Sequence, residues 1–116
     1  LKPSEFTERT SELMAELVAK TFSVEEVAVV TGGPDVAQAF SELPFDHLVF
    51  TGSTATGRKV MEAAAKNLVP VTLELGGKSP VVIGRSADLQ QAGDRIALGK
   101  MMNAGQICLA PDYLLV

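Results

Sequence analysis

The chain has 116 residues, is 47% hydrophobic and carries a net charge of −4, which is sufficient for one modest domain with a buried core. This acidic balance argues against nucleic-acid binding, and no apolar run approaches the ~18 to 20 residues of a membrane-spanning helix. A single cysteine cannot form an internal disulfide, which favours a reducing, cytoplasmic location. With one cysteine and one histidine the chain lacks a local cluster of zinc ligands, so we expect no metal site.

Helices and strands are predicted to alternate along the first half of the chain. Apolar residues at helical spacing predict a helix over residues 7–20, with Thr7 as its N-cap. The β-branched run Val27–Val30 predicts a short, fully buried strand. The punctuating segment "TGGPD" separates this strand from a second helix that begins near Pro34, and the next strand is expected at 47–50.

The second half of the chain continues this alternation. A glycine-bearing turn leads into a third helix within residues 51–68. The remaining predicted elements are strands at 71–75, 79–83 and 112–116 and a helix at 88–102 with Asp88 as its N-cap. Strand–helix–strand connections imply right-handed crossovers and parallel strands. The predicted fold class is therefore α/β, with a largely parallel, two-sided sheet and flanking helices.

The first motif of chemical interest is the turn "FTGSTATG". Gly52 and Gly57 bracket a turn between an apolar strand and a helix, and the outward amides of such a helix start favour phosphate. Thr54 stands where the usual dinucleotide fingerprint has a glycine, so the pattern is G-x-T-x-x-G. A helix start capped by Ser53 or Thr54 explains the same residues, and the motif alone leaves both interpretations open.

The second motif is "VTLELGGK". Strand alternation sets Glu74 near the carboxyl end of a parallel strand, where open α/β sheets bind ligands. A partly buried carboxylate at that place is suited to act as a general base. The alternative is an ion pair with Lys78, and Glu74 considered by itself favours that alternative.

The third motif is the loop that carries Cys108. Gly105 and Pro111 flank this residue, and a loop that follows a helix can present a thiol to a substrate, as a nucleophile requires. Most single cysteines are instead buried packing residues. The loop by itself does not decide between the two roles.

Together, the three motifs resemble the aldehyde dehydrogenase superfamily. The segments "FTGST", "LELGGKSP" and "GQIC" stand in the order and spacing of that family, and "KPSE" and "MNAGQICLAPDY" are most similar to its class 3 branch. The resemblance covers nearly the whole chain. It implies a Rossmann-like parallel sheet with flanking helices, of which this chain holds a part, and an aromatic substrate such as coniferyl aldehyde.

The resemblance implies catalytic roles for two residues. Cys108 stands in the place of the family's nucleophile, which attacks an aldehyde and passes through a thiohemiacetal and a thioester to a carboxylic acid. Glu74 matches the glutamate that activates the thiol or the water that hydrolyses the thioester. The backbone N–H of Cys108 is expected to help hold the developing oxyanion.

The resemblance also implies five cofactor-binding residues. Gly52 and Ser53 match the turn beneath the pyrophosphate of NAD or NADP, and Gly76 matches the segment near the nicotinamide. Lys2 and Glu5 match residues that meet the adenosine ribose, where a carboxylate favours the free 2′-hydroxyl of NAD and a lysine tolerates the phosphate of NADP. The choice between NAD and NADP stays open. The alternative for Lys2 and Glu5 is a pair of solvated charges near a chain end.

The domain organisation implied by the resemblance divides the chain near Gly76. Residues 1–75 are expected to form the later part of an NAD(P)-binding domain, and residues 76–116 the start of a catalytic domain. The chain would be an inactive fragment of a homodimer that takes a small-molecule aldehyde and binds neither nucleic acid nor membrane. Two alternatives are a CoA-acylating or semialdehyde dehydrogenase, and a nucleotide-binding fragment without catalysis.

Overall fold

The computed structural model describes residues 1–116 as an alternation of helices and strands. The helices are α1 (Glu8–Thr21), α2 (Pro34–Ser41), α3 (Thr54–Ala65) and α4 (Leu89–Met101), and the strands are β1 (Leu48–Thr51), β2 (Val71–Glu74), β3 (Ser79–Val82) and β4 (Pro111–Leu115). Short 3-10 turns at Glu5–Thr7 and Met102–Gly105 precede α1 and follow α4. The predicted α/β alternation is confirmed by these helices and strands. None of the helices is long and apolar enough to cross a membrane.

The four strands form two separate two-stranded sheets, β1 with β2 and β3 with β4. Strands β3 and β4 run parallel, with Ser79 opposite Pro111 and Val82 opposite Leu115. The backbone hydrogen bonds between β1 and β2 advance in the same direction along both strands, which is the arrangement of a parallel pair. The prediction of parallel strands is therefore confirmed, but these residues do not form one continuous two-sided sheet.

One predicted strand is wrong, because Val27–Val30 belongs to no sheet. The segment bonds to the start of the chain instead. The Leu1 backbone nitrogen donates to the Ala28 carbonyl at 2.6 Å, and the Val30 N–H donates to the Leu1 carbonyl at 2.8 Å. These two bonds involve one residue, whereas a strand ladder repeats along successive residues of both strands. The segment also alternates between half-buried and exposed residues, so the expected full burial is wrong as well.

Packing divides the chain into two compact units. The first unit comprises Leu1–Val49 and Arg58–Thr72, and the second comprises Phe50–Gly57 and Leu73–Val116. The buried apolar side chains of the first unit are Leu48, Val60, Ala64 and Val69. Ala110 is buried in the second unit. The predicted division of the whole protein into a cofactor-binding and a catalytic domain near Gly76 is a separate matter and stays a prediction.

The starts of α4 and α2 follow the predicted pattern, whereas α1 lacks a side-chain cap. The Asp88 carboxylate accepts a hydrogen bond from the Gln91 N–H at 3.0 Å, which confirms the predicted N-cap of α4. Pro34 occupies the first turn of α2, as predicted. Thr7 precedes α1 as expected, but its hydroxyl donates to the Ser4 carbonyl at 3.2 Å and makes no cap bond to the helix.

An ion pair ties the end of α2 to the end of α3 within the first unit. Lys66 Nζ lies 2.9 Å from Glu42 Oε1, and Asn67 Nδ2 donates to the Glu42 carbonyl at 2.7 Å. The hydrogen bond and the charge of Lys66 hold the pKa of Glu42 below its ordinary value. The pair therefore stabilises the fold fully above the ordinary pKa, and this contribution is lost as the pH falls through the lowered one.

We expect Lys66→Ala to lower the thermal midpoint slightly at neutral pH and to have no effect below the lowered pKa of Glu42, where the carboxyl is already protonated. The effect is small and shrinks with added salt, because both side chains are partly exposed. Thermal unfolding, followed from neutral pH into the acidic range until the carboxyl is protonated, measures it. Lys59→Ala is the matched control, since Lys59 lies on α3 outside any ion pair. A loss that persists at acidic pH would contradict this assignment.

Candidate active site

Cys108 lies in an exposed loop between α4 and β4. The Ile107 carbonyl accepts a hydrogen bond from the Ala110 N–H at 3.0 Å, so Cys108 occupies the first central position of a tight turn. The turn holds the backbone of the residue while the side chain stays open to solvent. A small molecule can therefore reach the thiol, as it could not reach a buried packing cysteine.

Glu74 ends β2 with its side chain in solvent. Val71 and Leu73 are half-buried whereas Thr72 and Glu74 are exposed, which is the alternation expected of a strand with one covered face. The backbone carbonyl of Glu74 accepts a hydrogen bond from the Gly52 N–H at 3.0 Å. The strand thus fixes the backbone of Glu74 and leaves its side chain exposed.

Lys78 is not the partner of Glu74. Its Nζ lies 3.2 Å from Asp112 Oδ1, at the beginning of β4. The alternative that Glu74 serves in an ion pair with Lys78 is therefore wrong. Glu74 takes part in none of the ion pairs of this structure.

The glycine segment after Glu74 touches the backbone of Cys108. A Cβ atom placed on Gly77 would lie 2.7 Å from the Cys108 carbonyl oxygen, closer than real side-chain atoms come. Only a glycine lets the two backbones approach to this distance. The structure thus brings the "LELGGK" segment and the cysteine loop together within the second unit.

We expect Gly77→Ala to displace the cysteine loop, because a backbone carbonyl cannot move aside as the end of a flexible side chain can. The overpacking is expected to cost about 1–3 kcal/mol of stability. Any chemistry that depends on the position of Cys108 should slow by on the order of a hundredfold. Thermal unfolding and turnover of the whole protein measure the two effects.

Gly84→Ala is the matched control for this substitution, because a Cβ at Gly84 meets no atom within 4 Å. Both variants add one methyl group and remove the backbone freedom of one glycine. Equal losses of activity in Gly77→Ala and Gly84→Ala would contradict a specific contact with Cys108.

Gly52 and Ser53 form the turn from β1 into α3. Ser53 Oγ accepts a hydrogen bond from the Thr56 N–H at 3.2 Å and lies 2.9 Å from Thr56 Oγ1. A Cβ on Gly52 would lie 2.5 Å from the Phe50 ring, so a larger residue would push that ring away. The interpretation of a helix start capped by Ser53 is therefore correct, and a capped helix start is also compatible with anion binding.

Lys2 and Glu5 form a bonded pair in the first unit. Lys2 Nζ lies 2.9 Å from the Pro3 carbonyl oxygen and 3.4 Å from Glu5 Oε2, and the Lys2 side chain is only 10% exposed. A hydrogen bond from its own backbone, followed by the bond from Lys2, holds the pKa of Glu5 below its ordinary value. The two residues are thus an ordered charge pair and not separately solvated charges.

A groove beside Glu5 has no counterpart among the sequence predictions. Its walls come from the start of the chain, from α1 and from the loop before α2, and they are formed by Pro3, Ser4, Glu5, Glu8, Ser11, Glu12, Thr31, Gly32 and Gly33. Ser11 is buried and donates to the Thr7 carbonyl at 2.9 Å, which orders one wall. Gly32 has φ +148°, a conformation that favours glycine. The sequence signal for this groove was the pair of glycines in "TGGPD", which the sequence analysis interpreted only as a break between a strand and a helix.

The whole chain, residues 1–116, matches the family model described as the aldehyde dehydrogenase family. The chain belongs to this family. It is 64% identical, over 99% of its length, to a probable coniferyl aldehyde dehydrogenase of Caulobacter vibrioides, of which it covers 24%. The resemblance drawn from the sequence motifs is therefore confirmed. The chain spans about a quarter of the length of the curated relatives that it matches.

Two solved structures show the same fold over nearly the whole chain. The substrate-bound state of Staphylococcus aureus AldH has a TM-score of 0.92 and 47% identity, covering 99% of this chain and 25% of that one. A mutant of aldehyde dehydrogenase C from Pseudomonas syringae, in complex with NAD⁺ and octanal, has a TM-score of 0.86 and 34% identity, covering 98% of this chain and 24% of that one. The predicted fold class, part of an aldehyde dehydrogenase fold, is confirmed.

Proposed function

We propose that the whole protein to which these residues belong is an NAD(P)-dependent aldehyde dehydrogenase that oxidises an aldehyde to a carboxylic acid. The observation that carries the proposal is the exposed Cys108, whose backbone carbonyl lies against Gly77 in the glycine segment that follows Glu74. Membership of the aldehyde dehydrogenase family supports it, and so does the sequence resemblance, which implies the family's cysteine and glutamate motifs at Cys108 and Glu74.

Cys108 acts as the nucleophile. Its sulfur forms a bond to the aldehyde carbon, and the aldehyde oxygen gains negative charge near the Cys108 backbone N–H, one of the donors that stabilise it. The cofactor, when bound, accepts the hydride that the resulting thiohemiacetal loses. Loss of hydride leaves a thioester on Cys108, and water hydrolyses this thioester to the acid and restores the thiol.

Glu74 accepts the proton that leaves the Cys108 thiol or the attacking water. Two observations support this role. The backbone of Glu74 is anchored through its hydrogen bond to Gly52, and its carboxylate is engaged in no ion pair. A carboxylate with a fixed backbone and no competing cation is available to accept a proton.

The residues present fit a dinucleotide cofactor. The amino end of α3, with Gly52 and Ser53, suits the negative charge of a pyrophosphate. At Gly76 a Cβ would meet nothing within 4 Å, so the backbone there is open to a planar group such as nicotinamide. The charged carboxylate of Glu5 suits the ribose hydroxyls of NAD, and Lys2 beside it suits the extra phosphate of NADP.

We further propose an aromatic aldehyde such as coniferyl aldehyde as the substrate, on the strength of the Caulobacter relative. The sequence resemblance supports assigning residues 1–75 to the cofactor-binding domain and residues 76–116 to the catalytic domain. The family resemblance supports a cytoplasmic homodimer. The isolated chain is expected to be inactive, because it spans about a quarter of its relatives.

The experiment that tests the proposed function is NAD(P)H formation by the whole protein at neutral pH, with aliphatic and aromatic aldehydes and with each cofactor. We expect turnover, fastest with aromatic aldehydes. Turnover that requires coenzyme A would favour an acylating dehydrogenase instead, and a preference for semialdehydes would correct the substrate. Cofactor binding without turnover on any aldehyde would favour a nucleotide-binding protein that lacks catalysis.

A further inference from the structure

Three consecutive residues before Cys108 adopt the left-handed backbone conformation. The φ angles are +49° at Asn103, +55° at Ala104 and +78° at Gly105. Glycine adopts this conformation freely and asparagine tolerates it, but it is unfavourable for alanine. A run of this kind persists only where neighbouring contacts hold it, and such contacts concentrate at functional sites.

Asn103 supplies those contacts through two hydrogen bonds to Gln106. The backbone carbonyl of Asn103 accepts from the Gln106 N–H at 3.1 Å, and Asn103 Nδ2 donates to the Gln106 carbonyl at 3.2 Å. One bond holds the N–H of Gln106 and the other holds its carbonyl. Together they fix the peptide planes on both sides of that residue. Gln106 is only two residues from Cys108.

The backbone of Cys108 is held from two further directions. The Ile107 carbonyl accepts from the Ala110 N–H on its far side, and the Cys108 carbonyl lies against Gly77. Without the Asn103 side chain the stretch between α4 and this turn keeps one hydrogen bond to Gln106. The Asn103 side chain therefore supplies one of the two hydrogen bonds between Asn103 and Gln106.

We propose that Asn103 is a positioning residue, whose side-chain amide clamps Gln106 and thereby orients the Cys108 thiol for attack. The proposal rests on the proposed function, in which Cys108 is the nucleophile. The amide donor is the part of Asn103 that the role requires, because the backbone carbonyl would remain in any substituted residue. Asparagine also combines that donor with tolerance of the left-handed conformation.

Two substitutions in the whole protein remove the donor in different ways. Asn103→Asp keeps the shape of the side chain but replaces the amide by a charged acceptor, and Asn103→Gly removes the side chain and relaxes the backbone. We expect each to slow the first turnover of NAD(P)H formation by about tenfold, with an unchanged KM for the cofactor. Hydrogen–deuterium exchange of the peptide that contains Gln106 should become faster in both variants, independently of any activity.

Asn67→Asp is the matched control, because Asn67 Nδ2 also donates to a backbone carbonyl, that of Glu42, at 2.7 Å. It is expected to leave the first turnover unchanged. If only Asn103→Asp slowed the first turnover, the effect would be due to the added charge, and the proposed clamp would be wrong. Unchanged hydrogen–deuterium exchange in both Asn103 variants would also contradict the clamp. Faster exchange with an unchanged first turnover would overturn the positioning role. If Cys108→Ala retained turnover, the proposed function would fail, and the exchange result would still report on the clamp.

Discussion

Cys108→Ala is expected to abolish NAD(P)H formation by the whole protein, a loss of roughly 10⁵-fold. Alanine cannot form the bond to the aldehyde carbon. The rest of the site can still bind the reactants, but no thiohemiacetal forms. The substitution should cost little stability, because it removes a single sulfur atom from a side chain that is exposed within residues 1–116. Steady-state turnover and thermal unfolding, measured on the same samples, separate the two effects.

Cys108→Ser provides the control for shape. A serine hydroxyl occupies nearly the same space but is a far weaker nucleophile at neutral pH, so we expect a loss almost as large. Cofactor binding, followed by cofactor fluorescence, should be retained in both variants because neither change removes a proposed cofactor contact. Turnover that survives in Cys108→Ala would refute the nucleophile outright.

Strong local patterns made most of the fold predictable. The helix at 88–102 was predicted with Asp88 as its cap, and the structure has α4 with that cap. The strand at 71–75 carried an alternating pattern and ended in two glycines, and the structure has β2 with that alternation. Each of these elements is determined by residues within itself or beside it, so the sequence around it is sufficient.

The failures concern partners distant in the chain. Val27–Val30 has the composition of a buried strand, yet it belongs to no sheet, and its backbone bonds instead to Leu1, 27 to 29 residues earlier in the chain. The ion pair of Lys78 with Asp112 joins residues 34 apart in sequence, so proximity in the chain wrongly favoured Glu74 as the partner. Local patterns do not report which side chains meet across such separations.

The candidate site divides in the same way. The types and order of Glu74, Gly77 and Cys108 were visible in the motifs, whereas the approach of Gly77 to the Cys108 carbonyl could only be seen in three dimensions. The left-handed backbone conformation of Asn103 and Ala104 could not be predicted from the sequence either, because neither residue type adopts that conformation regularly. The chemistry of the site was therefore predictable and its positioning contacts were not.

Glu74→Gln is expected to lower kcat by roughly a hundredfold or more, the range in which a general base contributes. Glutamine keeps the size of the side chain and can donate hydrogen bonds, but it cannot accept a proton at neutral pH. Because Glu74 is exposed and makes no ion pair, the change should leave thermal stability nearly unaltered. The matched control is Glu62→Gln, which removes an exposed carboxylate from α3.

The kinetic phase that slows identifies the proton that Glu74 accepts. If Glu74 serves the hydrolytic water, Glu74→Gln should retain a rapid first turnover of NAD(P)H and slow only the steady state, because the thioester accumulates. If Glu74 activates the thiol, the first turnover itself should slow, since attack on the aldehyde then lacks its base. An unchanged first turnover together with an unchanged steady state and pH profile would remove Glu74 from the mechanism and place the base elsewhere in the whole protein.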